Sequence, residues 1–164
     1  MVIGVGPVGL ATAQFARAAG GIVRVLDKNE WRREFAERVG FEALAEPDAE
    51  LADVVFDATG SGKSMGASVH HAGPGGRVVY VGLTREEIPI DDPLFHRREL
   101  TLYPSRNSYG QFPRVVRMIE SNEIDTAPWI TDRLRLTDVL GGFAALARKP
   151  KVMKAMVDVE EADG

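Results

Sequence analysis

The chain has 164 residues, 45% of them apolar, and 20 Lys and Arg against 24 Asp and Glu give a formal charge of −4; this suits one globular core and argues against a nucleic-acid surface. The absence of cysteine excludes disulfides, thiolate nucleophiles and any zinc site built on Cys ligands. No apolar run approaches the ~20 residues of a membrane helix and no basic leader opens the chain, so the expectation is a soluble, cytoplasmic protein with neither membrane nor nucleic acid as partner.

Met1 to Val5 is a short apolar run that ends in glycines. An Ala-rich helix from Leu10 to Ala19 follows, and Gly20-Gly21 closes it by accepting the left-handed cap conformation. Ile22 to Leu26 reads as a buried strand, ended by Asp27. Glu30 to Val39 reads as a helix with Trp31, Phe35 and Val39 on one face, and Phe41 to Ala45 as a weaker strand. Asp53 to Asp57 is a fourth strand and Thr59 to Gly62 a turn. Ser64 to Ala72 is a helix with Met65, Val69 and Ala72 inward; Gly73-Pro74-Gly75-Gly76 is a hard stop before a fifth strand, Arg77 to Val81. This alternation implies a parallel sheet with right-handed crossovers and helices on both faces. Beyond Gly82, Ile88-Pro89-Ile90 and Glu99 to Tyr103 read as strands, with Pro93 to Arg98 between them. Gln111 to Glu120 reads as a helix with Val115, Val116 and Ile119 inward. Thr137-Asp138 caps a helix running to Arg148, and Val152 to Val159 is the last strand.

Gly4-x-Gly6-x-x-Gly9, with Pro7 and Val8 inside it, sits between a strand and a helix, and Asp27 ends the next strand. Glycine-rich turns are common, but this combination is the pattern of a doubly wound, Rossmann-type α/β fold that binds a dinucleotide. Gly4 makes the turn, Gly6 lets a pyrophosphate approach the backbone, and Gly9 lets the helix pack close. The helix N-terminus supplies free N–H groups and the positive end of its dipole. Asp27 suits the adenosine ribose diol and repels a 2′-phosphate, favouring NAD over NADP. Lys28 and Arg32 lie where a cation softens that exclusion.

These residues, with Asp53 to Gly60 (DVVFDATG) and Gly73 to Gly82 (GPGGRVVYVG), resemble the medium-chain, zinc-type alcohol dehydrogenases. Phe95 to Thr101 (FHRRELT) and Ser105-Arg106-Asn107 are most similar to the polyol, sugar and sugar-acid branch. The resemblance implies that Thr59 and Gly60 line the cofactor cleft, and that Val81, Gly82 and Leu83 meet the nicotinamide carboxamide. It implies that Ser105, Arg106 and Asn107 lie beside nicotinamide and substrate, and that Lys154 lies near the pyrophosphate. It further implies a catalytic zinc held by a lobe whose Cys and His ligands this chain does not contain. The expectation is therefore the cofactor-binding half of a dehydrogenase: a core over residues 1–103, an extension over 104–164 that returns to a separate catalytic lobe, no catalytic or metal-binding residue of its own, and little activity alone. Homodimerisation through the edge strand 99–103 is a further implication. The alternatives are a non-catalytic nucleotide-binding or oligomerisation module, and a zinc-free NAD(P)H reductase of the same superfamily, which Asp27 disfavours.

The remaining chemistry-bearing residues read as structural. His70 and His71 point about 100° apart on a helix and do not grip one ion. His96 reads as a solvated loop residue. Gly60-Ser61-Gly62-Lys63-Ser64 echoes a P-loop but lacks its leading glycine. Trp31 and Phe35 read as core.

Overall fold

The computed structural model describes residues 1–159; the last five positions of the expected C-terminal extension lie outside the described residues. Six parallel strands form the main sheet in the order β3-β2-β1-β4-β5-β6: β1 (Val2–Ile3), β2 (Arg24–Leu26), β3 (Glu42–Leu44), β4 (Ala52–Asp57), β5 (Ala72–Tyr80) and β6 (Thr101–Pro104). The order reverses between β1 and β4, which creates a crevice at the C-terminal ends of those strands. Helices α1 (Pro7–Ala18), α2 (Glu30–Arg38), α3 (Gly62–Ala67) and α4 (Asp92–Arg97) make the crossovers.

Alternate strand residues feed two apolar clusters. Val2 and Val25 pack with Leu10 and Ala13 of α1 and Phe35 and Ala36 of α2. Ile3 and Leu26 pack instead with Val69, Leu94 and Leu100. Successive side chains point to opposite faces of a sheet, so the helices cover both faces and the doubly wound expectation holds. The helix predicted from Glu30 is capped by Asn29, whose side chain accepts from Arg32 N at 3.1 Å, and Phe35 is buried as its spacing requires.

Several boundaries differ from the sequence reading. Ile22 lies outside β2 and is 99% exposed, because the turn through Gly20 (φ +87°) and Gly21 still occupies that stretch. The predicted stop at Gly73–Gly76 lies within β5 as an irregularity: Ala52 pairs with Ala72, but Val54 pairs with Arg77. Gly75 takes φ +70° there and donates to Arg98 O at 2.7 Å. Ile88-Pro89-Ile90 is not a strand; it runs over α3, so close that a Cβ at Gly66 would stand 2.2 Å from Pro89 O. His96 lies on α4 rather than in a loop, exposed and 3.4 Å from Asp92. The edge strand starts at Thr101, since Glu99 takes φ +51° and leaves the extended region.

Helix α5 (Phe112–Glu120) forms as predicted but buries Met118, while Val116 and Ile119 stay exposed and Val115 half-buried. The polypeptide then makes a strand the sequence reading lacked, β7 (Ile130–Arg135), which pairs in parallel with β8 (Lys154–Asp158) as a separate two-stranded sheet. Helix α6 (Val139–Arg148) connects them. Asp138 stands at its N-cap, but its carboxylate accepts from Arg135 Nε at 2.8 Å rather than capping the helix. Trp129 and Met153 join the cluster beneath α1 and α2. Gln14 of α1, buried, donates through Nε2 to Asp125 O at 2.7 Å and accepts from Asp125 N at 3.0 Å. Among the described residues no helix is long and apolar enough to cross a membrane.

Candidate functional site

A cavity of about 620 Å³ opens at the crevice between β1 and β4. Gly4, with φ +88°, turns the backbone out of β1, and its N–H donates to Leu26 O at 2.8 Å. A Cβ at Gly9 would stand 1.7 Å from Gly4 O, so only glycine admits this approach of helix to strand. At Gly6 the nearest atom to such a Cβ is Arg32 Nη1 at 4.0 Å, so that face is open towards the cavity. Gly6 is also the N-cap of α1 and offers no capping side chain. By contrast, Asn29 and Asp91 cap α2 and α4 through their side chains. The start of α1 therefore faces the cavity with its dipole uncompensated, an arrangement suited to an anion.

Asp27 is fixed in place by backbone donors. Its Oδ2 accepts from Val5 N at 2.7 Å and its Oδ1 from Asn29 N at 2.8 Å. Each oxygen retains a lone pair for a diol. Arg32 Nη1 lies 3.7 Å from Oδ2. Lys28 lines the same end.

The cavity gathers Gly4, Gly6, Pro7, Val8, Gly9, Asp27, Lys28, Arg32 and Thr59 of the predicted set. Gly60, Gly82 and Leu83 lie against one another beside it: a Cβ at Gly82 would stand 2.4 Å from Gly60 N, and one at Gly60 3.1 Å from Leu83 O. Val81 adjoins them and donates to Asp57 O. Ser105, Arg106 and Asn107 follow β6 as exposed residues, with Ser105 N donating to Tyr80 O at 2.8 Å; they do not line the cavity. Lys154 is exposed on β8 and does not line it either.

Sequence reasoning did not name Glu46 and Pro47 after β3, and it read Ser61, Lys63, Ser64 and His71 around α3 as structural; all of them complete the lining. For Ser61, Lys63 and Ser64 the available signal was positional, since they follow the C-terminal end of β4 beside the order reversal; Glu46, Pro47 and His71 carried no such signal. His71 is held below the usual histidine value, first by burial and then by the neighbouring charge of His70, with Arg98 in the same direction and Asp48 opposed.

The glycine cradle fits a dinucleotide. Zinc is a different matter: the chain has no cysteine, and among the described residues no group of three His, Asp or Glu side chains could hold a metal.

Residues 7–121 match the family of zinc-binding dehydrogenases. The chain is 32% identical over 171 residues to 2-dehydro-3-deoxy-L-galactonate 5-dehydrogenase of Pseudoalteromonas atlantica, covering 96% of this chain and 50% of that protein. It is 35% identical over 147 residues to L-galactonate-5-dehydrogenase of Escherichia coli, covering 81% and 43%. The chain thus spans about half the length of the curated relatives it matches. An alcohol dehydrogenase from Escherichia coli CFT073 solved with NADH superposes with a TM-score of 0.87 at 21% identity, over 96% of this chain and 51% of the other. A Sinorhizobium meliloti 1021 protein bound to NADP gives 0.83 at 25% identity, over 96% and 51%. With the glycine cradle, the acid beside it and the doubly wound sheet in place, the match over most of its length means that the chain belongs to the zinc-binding dehydrogenase family.

Proposed function

We propose that the cavity binds NAD(H), and that the chain serves as the cofactor-binding half of a dehydrogenase oxidising a secondary hydroxyl of a sugar acid, sugar or polyol. The observation that carries this reading is the geometry of the glycine loop: Gly9 admits no side chain, Gly6 is open to the cavity, and Val5 N–H is tied to Asp27. A pyrophosphate would meet the uncapped start of α1 while a ribose diol meets the Asp27 carboxylate. The bound nicotinamide supplies the hydride acceptor; the residues here bind and orient it. Gly60, Val81, Gly82 and Leu83 border the second half of the crevice and would meet the carboxamide. The substrate class rests on the names of the relatives and on Ser105, Arg106 and Asn107, whose hydroxyl, guanidinium and amide donors suit a hydroxylated carboxylate. Lys154 remains a proposal for the pyrophosphate.

The experiment is titration of the chain with NADH and NADPH by calorimetry. Asp27 disfavours a 2′-phosphate, and Arg32 and Lys28 moderate that without reversing it, so NADH is expected to bind tighter by about tenfold, ~1.4 kcal/mol. Asp27→Ala should narrow the gap. Equal or tighter NADPH binding overturns the assignment. We further propose a homodimer formed across the edge of the main sheet at β6, where a two-fold axis would join two sheets.

A further inference from the structure

A buried carboxylate stands outside the cavity lining and outside every role given above. Asp57, the last residue of β4, is fully buried, and among the described residues it forms no ion pair. Its Oδ1 accepts from Thr59 N at 2.9 Å and from Thr59 Oγ1 at 2.6 Å, and its Oδ2 accepts from Ser64 Oγ at 2.7 Å. Its own carbonyl accepts from Val81 N at 2.9 Å and Gly82 N at 2.8 Å. One residue thereby joins the turn after β4, the first turn of α3 and the connection after β5. It reaches the glycine loop through Thr59, whose Cγ2 and N would lie 2.9 and 3.1 Å from a Cβ at Gly4.

A buried carboxylate without an ion-pair partner is costly to fold, and a strand end does not require one. What it does secure is the orientation of two hydroxyls. Thr59 and Ser64 both line the cavity, and each donates its only hydroxyl proton to Asp57, which leaves both as acceptors, Thr59 Oγ1 already receiving Ser61 N at 3.1 Å. In a doubly wound sheet β1–β3 serve one mononucleotide and β4–β6 the other; Asp27 ends β2 in the first half and Asp57 ends β4 in the second.

We propose that Asp57 is the positioning residue for the nicotinamide half of the cofactor, holding Thr59, Ser64 and the Val81–Gly82 connection in the arrangement that receives it. The proposal rests on the reading of the cavity as a dinucleotide site. Calorimetric titration of the chain with NADH and with 5′-AMP, which reports the first half alone, separates positioning from general stability. In Asp57→Ala, NADH affinity should fall about tenfold or more while AMP affinity stays within about twofold. Asp57→Asn should lose only about threefold, because the amide oxygen still serves Thr59 while Ser64 reverses to accept from the amide N–H. Should the alanine variant fail to fold, Thr59→Val and Ser64→Ala, which each remove one of the two hydroxyls, read the same split. Parallel loss of NADH and AMP, or wild-type NADH affinity in a folded variant, overturns the proposal. A wild type that binds neither ligand overturns the cavity reading itself, and this proposal with it.

Discussion

Gly6 and Gly9 occupy one motif but answer to different forces. A methyl at Gly9 would meet Gly4 O at 1.7 Å, so Gly9→Ala is expected to cost about 3 kcal/mol, the upper end of ordinary overpacking, or to prevent folding. A methyl at Gly6 meets nothing nearer than 4.0 Å, so Gly6→Ala should leave the thermal midpoint nearly unchanged and abolish NADH binding; melts and titrations of both variants check the contrast. His71 yields a pH prediction. Its folded value lies below the unfolded 6.5, so between those values the unfolded chain binds more protons. Stability should fall as pH drops from 6.5 through the folded value and then level off. Thermal melts over that range should show the step, and His71→Gln should flatten it. The glycines and Asp27 were legible because spacing alone marks them. His71 and Glu46 were not, because only the folded crevice brings them to the same cavity.

Among the elements, β6 carries a direct test. Ser105 N–H points to β5, so by the two-residue period the N–H of Leu102 points away from it, to the open edge. Leu102→Pro therefore removes an edge donor without breaking the ladder to β5. The wild type is expected to sediment as a dimer at tens of micromolar and the variant to shift to monomer; a monomeric wild type, or a folded variant that dimerises unchanged, overturns the edge contact. Strands β1, β2, β4 and the second half of β5 were readable because buried parallel strands carry apolar runs, whereas β3 has no buried residue and reads only weakly. Strand β7 was hidden because Asp132, Arg133 and Arg135 interrupt its apolar residues, and its sheet has only two strands. Ile88-Pro89-Ile90 misled for the opposite reason: its β-branched residues fit a strand, but its backbone packs on Gly66 instead, as that of the preceding Glu87 packs on Gly62. In α5 a broad apolar arc left two adjacent stripes to choose between, and Met118 rather than Ile119 turned inward.

For the whole molecule, ligand chemistry sets the expectation of activity. With no cysteine and, among the described residues, no three-donor group, this chain alone is expected to show no zinc-dependent oxidation of sugar acids. Rates of order 1–10³ per second on adding zinc, as in ordinary enzymes, would contradict that. The pairing of Gln14 with Asp125 has a kinetic meaning as well. The two residues are 111 positions apart, and closing so long a loop costs about 4 kcal/mol of chain entropy. Contacts of such separation form late on the path to the native state. Gln14→Ala should accordingly speed unfolding about fivefold or more, from the loss of about 1–3 kcal/mol, while refolding stays within about twofold; the two arms of a chevron plot report this separately. The carboxamide thus works as a latch on α1, setting how long the helix beneath the glycine loop stays fastened once the chain has folded.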